Sequence, residues 1–443
     1  MIDIPKFSII IPTADRPETL KYTLMACVMF KRDDLEIIIS DNYSGPDTTA
    51  VIESFSDPRI KVFRTDRRLH MPAHWEFAVH KASGQYVIIN CDDDFPAPNL
   101  LDSLDKVLDA GAPQIISWSI GLYHHPDFIL NGTPNSLTYM AGHSNYALKL
   151  SPKKLIKNFH NLNFSYFPEA TRSCIKRTLL LNVMNRVGSD AWRPYPDFTP
   201  SVLCLLEIDE EDYVYIDALL GCGGRSERSN AAAFSSEGKA RGNPARASTF
   251  WAEVGDDDLY PNHPLKIPFY YNGHLAALST AAKFYPDRMK RFQVNYEKFI
   301  RTFYEEVSGI RPNPFVGAHH IDDIKQYAQV QTGNSLTGNE KSYIKAQDIT
   351  STVRPSLKQR SIRLVSRMIP TKMKVALMPA IMLPAQHSVT VSGDAAGFTN
   401  GFEMNSRWED ITKKDDPLTF KTLEGAESLG LLISASRLNY NPD

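Results

Sequence analysis

The amino-acid sequence predicts an α/β protein: a doubly wound, mainly parallel sheet with helices on both faces over residues 1–120, followed by a helical C-terminal extension. Three observations predict it. The short β-branched or aromatic runs Phe7–Ile11, Leu35–Ile39, Ile60–Phe63 and Tyr86–Ile89 alternate with stretches long enough for helices. The runs are apolar almost throughout rather than alternating, as suits parallel strands covered on both faces. The 443 residues also exceed one ordinary domain.

The elements follow in order. The first run gives way to Pro12-Thr13-Ala14-Asp15-Arg16-Pro17-Glu18, a loop and helix start with Thr and Asp as cap candidates. The second leads into the turn-rich polar stretch Asp41–Asp47, and the fourth into Cys91-Asp92-Asp93-Asp94-Phe95-Pro96, then the helical pattern Leu100–Leu108. Ligands of doubly wound sheets bind beyond the carboxyl ends of the strands, so acidic groups from three strand ends are expected in one crevice. Gln114–Ser119 and Tyr213–Leu220 extend the sheet, and 264–308 is rich in helix formers and aromatics. Gln331–Asn339, poor in apolar residues and holding two glycines, reads as a linker. The expected organisation is a first unit 1–235 in two halves, 1–120 and 121–235, a helical region 236–330 packed on it, and a basic region 340–443.

Composition narrows the partners. Lys plus Arg (49) nearly cancels Asp plus Glu (51), which argues against a nucleic-acid partner. Five scattered cysteines without a CxxC pair argue against a disulfide framework or a zinc site. Met1–Lys6 has neither a basic n-region nor an apolar h-region, and Val375–Ala385 is too short to span a bilayer, so a cytoplasmic protein is expected. Between Ile349 and Gly393 there is no Asp or Glu, while Arg354, Lys358, Arg360, Arg363, Arg367, Lys372 and Lys374 alternate with apolar residues. Such a segment suits peripheral contact with an anionic leaflet at the inner face of the membrane. It equally suits a helix face docked on the protein or on a second copy in a homo-oligomer.

A diphosphate leaving group carries charge that a divalent cation neutralises as the bond breaks, and Mn²⁺ or Mg²⁺ is held by one or two carboxylates plus phosphates and waters. Asp92-Asp93-Asp94 at a strand end fits that task; elsewhere an acidic triplet would read as a helix-capping turn. The pieces Ser8-Ile9-Ile10-Ile11-Pro12-Thr13 with Arg16, Ile37-Ile38-Ile39-Ser40-Asp41-Asn42 with Ser44, and Gly84-Gln85-Tyr86-Val87 leading to Asp92-Asp93-Asp94 and Pro98-Asn99 occur in that order. Over roughly the first 110 residues the sequence thereby resembles the family 2 glycosyltransferases, which have the GT-A fold, a Rossmann-like nucleotide-diphospho-sugar transferase domain.

The resemblance implies an inverting, metal-dependent transfer of a sugar from a nucleoside diphosphate donor, a UDP-sugar above others, to a glycan or lipid-linked acceptor in cell-surface polysaccharide synthesis. It implies that Asp93 ligates Mn²⁺ or Mg²⁺, that Asp41 and Asn42 hold the nucleoside, and that Pro12, Thr13, Arg16, Asp92 and Asp94 line the donor site. Cys91 stands where many relatives have the first Asp of the metal motif, which leaves the division of labour among the three carboxylates open. Arg68 is a phosphate contact or a surface residue, and Trp75 is read as core. The general base is Asp197 in Tyr195-Pro196-Asp197-Phe198, with Glu207, Asp209, Glu210, Glu211 and Asp212 as rivals. Gly223–Asn230 reads as a flexible loop ordering over the donor, Arg225 and Arg228 within it touching phosphate or acceptor. Ser117-Trp118-Ser119 and Tyr123–Asp127 are candidates for the acceptor wall. A nucleotidyltransferase or dinucleotide dehydrogenase is disfavoured because Pro12–Glu18 holds no glycine. A non-catalytic sugar-nucleotide-binding or scaffold protein of the same fold is the alternative.

Overall fold

The computed structural model describes residues 4–128, 134–141, 143–226, 228–229, 260–263, 265, 270–292, 294–296, 298–300, 302, 320–332 and 387–412. Strands β1 (Phe7–Thr13), β2 (Leu35–Asp41), β3 (Ile60–Arg64) and β4 (Tyr86–Ile89) stand in the order β3-β2-β1-β4, every pair parallel. Between them run α1 (Pro17–Val28), α2 (Pro46–Glu53) and α3 (Met71–His80). Each helix has a proline in its first two positions, where the missing N–H has no intrahelical partner to lose. β1 and β2 are buried at every residue, the physical reason for their unbroken apolar pattern.

Beyond β4 the sheet becomes mixed. β9 (Ser173–Lys176) lies antiparallel between β4 and β6 (Ile115–His124), so the parallel order does not continue directly from β4 to β6. β10 (Tyr213–Arg225) runs parallel to β6 and antiparallel to the short β5 (Phe95–Pro96) and β8 (Ala147–Lys149). Periodicity identifies these strands but not the later segment that slips between two of them. α4 (Leu100–Gly111) buries Leu100, Leu101, Leu104, Val107 and Leu108, one face at helical spacing. On the other face of the sheet α5 (Pro152–His160), α6 (Arg177–Val187), α7 (Thr199–Glu207) and the helix Tyr270–Phe284 enclose a second core. Trp75 belongs to that core, its ring edge-on to Trp192 at 6.5 Å.

The C-terminal region departs from the sequence reading. β7 (Ser136–Ala141) pairs with β6, and β11 (His387–Ser392) pairs with β7, so part of the region set apart as 340–443 is a strand of the sheet. The basic stretch 354–374 lies outside the described residues, as does most of the linker expected at 331–339; Gln331 and Thr332 end the helix Ile321–Thr332. Among the described residues no helix is long and apolar enough to cross a membrane.

One buried charge holds the parallel half together. Glu36 on β2 is 2% exposed and accepts from Ser8 Oγ (2.5 Å), Ser83 N (2.6 Å), Gly84 N (3.0 Å), Ser83 Oγ (2.8 Å) and Lys61 Nζ (2.6 Å). Burial alone would raise its carboxyl; Lys61 and the Ser8 and Ser83 donors outweigh that and lower it to about 2. Glu36→Gln is therefore expected to cost about 1–3 kcal/mol of stability at neutral pH. A depressed folded pKa confers stability above the unfolded value of about 4.3 that is lost as pH falls towards 2. Urea titrations at neutral pH and near pH 3 should show the gap between the two proteins shrinking on acidification.

Candidate active site

At the carboxyl end of β4 the chain folds into a tight turn. Asp94 N donates to Cys91 O (3.0 Å), and the Asn90 side-chain amide donates to the carbonyls of Cys91 (3.0 Å) and Asp94 (3.2 Å). Thr23 of α1 donates to the Asp94 carbonyl at 3.0 Å. From the other side β10 closes in: Gly224 N donates to Asp94 Oδ1 at 2.8 Å, and a Cβ at Gly224 would stand 1.8 Å from the Asp93 carbonyl oxygen. Glycine is required there by the approach of one backbone to another. The His125 ring lies 3.4 Å from the same carbonyl, and the Ser229 hydroxyl donates to Asp93 Oδ2.

The three carboxylates are close to one another and short of positive charge. Arg16 Nη1 donates to Asp92 Oδ1 (3.0 Å) and Asp93 Oδ2 (3.3 Å), and Thr13 Oγ1 donates to Asp92 Oδ2 (2.7 Å). Burial pushes the Asp92 carboxyl up, Arg16 opposing and Asp93 adding to the shift. Burial and then Asp93 push Asp94 well above the carboxylate range. Burial would lower Arg16, yet Asp92 and Asp93 hold it above its ordinary value. Asp93 Oδ1 accepts no hydrogen bond among the described residues, whereas the backbone N–H groups of Gly224 and Cys91 both favour the ionised Asp94 carboxylate. Burial, then the surrounding aspartates, raise the Cys91 thiol, so it is no nucleophile.

The strand-end loops are stitched to one another. Asp15, in the left-handed region at φ 55°, accepts from Gly45 N (2.7 Å) and Arg68 (2.9 Å), so Arg16 rather than Asp15 or Thr13 occupies the N-cap of α1. Asn42 uses both ends of its amide on Leu69, donating to the carbonyl (2.8 Å) and accepting from the N–H (2.9 Å). Asp41 accepts from Ser44 N (3.0 Å) and Arg64 (2.6 Å). Pro12 lies within buried β1 opposite Ser40. Arg225 ends β10, its carbonyl accepting from His125 N at 2.8 Å. Thr13 and Arg16 thus converge on Asp92 and Asp93, while Pro12 lies in β1 beside them in sequence and Arg225 follows the Gly224 that binds Asp94. Asn42 and Arg68 brace the neighbouring loops.

Asp197 precedes α7. Its carbonyl accepts from Ala170 N (2.8 Å), while its half-buried carboxylate makes no hydrogen bond among the described residues. Burial, with Glu169 adding and Arg172 opposing, raises it to about 7. Its charge is felt at Cys91, beside the triplet. The rivals stand elsewhere: Glu207 pairs with Arg186, Glu210 with Lys153 and Glu211 with Lys149, all near the start of β10. β10 runs from that end to Gly224 and Arg225, so the acidic turn is at the opposite end of the strand.

Residues 8–170 match the description glycosyl transferase family 2, a span running from β1 through the acidic turn to the Ala170 that binds the Asp197 carbonyl. Residues 8–170, a little over a third of the chain, are the part that matches a family 2 glycosyltransferase domain. It is 30% identical over 153 residues to the O-antigen biosynthesis protein RfbC of Myxococcus xanthus, covering 33% of this chain and 12% of that one. It is 32% identical over 111 residues to the GalNAc(5)-diNAcBac-PP-undecaprenol beta-1,3-glucosyltransferase of Campylobacter jejuni, covering 24% of this chain and 36% of that one. The chain therefore spans 12% and 36% of these relatives' lengths. The solved structure of S. aureus TarS residues 1–349 superposes with a TM-score of 0.43 at 13% identity, over 77% of this chain and 92% of that one. The mixed α/β sheet is the GT-A frame that the family resemblance implies.

Two sequence readings change. Trp118 (3% exposed) and Tyr123 (0%) point into the core, so they are not an acceptor wall; Ser117, His124 and His125 are buried as well. Gly223–Arg225 belong to β10 rather than to a flexible loop, because the strand must run on to meet the turn. His125, Ser229, Thr23 and Gly224 went unmarked as supports of the turn. For Gly224 a signal existed: a glycine closing an apolar strand pattern marks close backbone approach.

Proposed function

We propose that the protein is an inverting glycosyltransferase that moves a sugar from a nucleoside diphosphate donor, a UDP-sugar above others, to a glycan or lipid-linked acceptor. The observation that carries the reading is the triplet Asp92-Asp93-Asp94 at the end of β4, Asp92 and Asp93 buried and Asp94 half-buried, with Arg16 as the cation bonded to it and an oxygen of Asp93 that accepts no hydrogen bond among the described residues. The Asp93 and Asp94 carboxylates fit Mn²⁺ or Mg²⁺, ions that take few protein carboxylates and leave the remaining positions to phosphate and water. Once bound, such an ion neutralises charge developing on the leaving diphosphate. Asp93 is the ligand and Asp94 supports it; Arg16, tethered through one nitrogen, presents its remaining N–H groups towards phosphate. Asp41 keeps lone pairs for a base N–H, and Arg68 and Arg225 add positive charge at the donor mouth. Asp197 takes the proton from the acceptor hydroxyl as it attacks the face opposite the diphosphate.

The acceptor class is supported by the two relatives, one named for O-antigen biosynthesis and one for transfer to an undecaprenol-linked glycan. The basic segment 354–374 suits work at the cytoplasmic face of a membrane, or contact with a second copy. Calorimetry with UDP, GDP, dTDP and CMP, each with Mn²⁺ or EDTA, tests the reading. One diphosphate should bind with metal, and Asp93→Ala should weaken it at least about 100-fold, roughly 2.7 kcal/mol. Binding indifferent to both metal and Asp93 would instead favour a scaffold that merely keeps the fold.

A further inference from the structure

Residues 387–412 lie far beyond the family match and take no part in the chemistry above, yet they are built against the acidic turn. β11 pairs with β7 over His387–Ser392. Gly393 N then donates to Asn135 O (2.8 Å), Asn135 Nδ2 to Phe398 O (2.8 Å), and Tyr123 Oη to Asn135 Oδ1 (2.8 Å). Phe398, Met404 and Trp408, all buried, share one apolar cluster with Tyr123 and Phe95. Phe95 directly follows Asp94, and its ring meets Tyr123 edge-on at 5.8 Å and His125 at 5.9 Å.

The tightest contact is at Gly401, the first residue of the helix Gly401–Ser406. A Cβ there would stand 2.1 Å from Phe95 Cζ, 2.5 Å from Cε2 and 2.9 Å from Cε1, three atoms of one rigid ring. The ring is shut in by Tyr123 and His125 and its backbone is paired to Cys222 of β10, so it cannot swing aside alone. Any side chain at 401 must shift Phe95, and with it the backbone of Asp94.

We propose that residues 387–412 are a positioning element of the donor site: Gly401 against the Phe95 ring, and Phe398 against the Tyr123 ring that meets Phe95, clamp Phe95 and so set where Asp93 and Asp94 stand. This rests on the donor-site reading above. A misplacement of about 1 Å behind a reacting centre can reduce rate on the order of 100-fold, so a contact remote in sequence can govern affinity and rate without touching substrate.

The test uses the full chain and Mn²⁺ with UDP, well below each variant's melting temperature. Gly401→Ala is expected to weaken UDP binding at least about tenfold, and adding Phe95→Leu, which removes the ring atoms a Cβ meets, should recover most of the loss. Phe398→Leu, which loosens the clamp without a clash, should shift affinity the same way and keeps the test open should Gly401→Ala fail to fold. Glu36→Gln, destabilised at the opposite, amino end of the parallel strands, should bind as wild type does. If Gly401→Ala and Phe398→Leu lose stability but bind like wild type, or if Phe95→Leu rescues nothing, the segment is a structural appendage and the proposal fails. Absence of nucleotide binding in wild type would bring down the donor-site reading itself, and the clamp with it.

Discussion

Asp197→Asn is expected to reduce kcat about 10²- to 10⁴-fold while making the protein more stable above pH 7. The rate loss is that of removing a general base. The stability gain follows from the unbonded, half-buried carboxylate, whose folded pKa is raised to about 7 from an unfolded value of about 3.9. An acid with a raised folded pKa carries no penalty below about pH 4, loses stability as pH rises through the interval, and bears the full penalty above 7. Asparagine removes that penalty, on the order of 1–4 kcal/mol at pH 8 and vanishing towards pH 4. A residue retained for packing would lose stability on substitution; one retained for proton transfer loses rate and gains stability.

The pH profile supplies the matching readout. If Asp197 is the base, wild-type kcat/KM should rise with pH and level off above an apparent pKa near 7, since its carboxylate must be ionised to accept the proton. The residual activity of Asp197→Asn should lack that limb. Initial rates of donor turnover between pH 5.5 and 9, alongside melting curves at the same pH values, measure both effects. An unchanged limb in the variant would move the base elsewhere, although Glu207, Glu210 and Glu211 are paired at the opposite end of β10.

What the sequence disclosed divides along physical lines. β1, β2 and β4 were legible because strands covered on both faces must be apolar throughout, and the acidic turn was legible because it ends such a strand. Asp197 was proposed as the base only through family resemblance, since nothing local to Tyr195–Phe198 says that the chain returns to Ala170 and the acidic turn. Asn42 and Trp118 show the other limit. A polar side chain at a strand end can face a ligand or staple a loop, and an aromatic on a strand can line a cleft or fill the core. One sequence does not tell which face is covered. The antiparallel insertion of β9 and the return of residues 387–412 are long-range pairings, invisible to any pattern of period 2 or 3.6.

Gly224→Ala should be nearly as damaging as loss of a metal ligand, although it removes no functional group. Its Cβ would lie 1.8 Å from the Asp93 carbonyl oxygen and 2.6 Å from the carbonyl carbon, both backbone atoms with no rotamer to yield. Either β10 separates from the turn, losing the Gly224 N bond to Asp94 Oδ1, or the turn is pushed towards Arg16. Metal-dependent nucleotide affinity is expected to fall at least about 100-fold, roughly 2.7 kcal/mol, with the fold retained because β10 stays paired to β6 from Tyr213 to Ile216. Gly223→Ala is the control. Its Cβ would meet Ile120 Cδ1 at 3.6 Å and Asp94 Oδ1 at 3.7 Å, ordinary contact distances, so affinity should change by less than about threefold. Equal effects at the two glycines would mean that β10 is a mobile flap rather than a fixed wall of the acidic turn, and calorimetry on the pair separates the two.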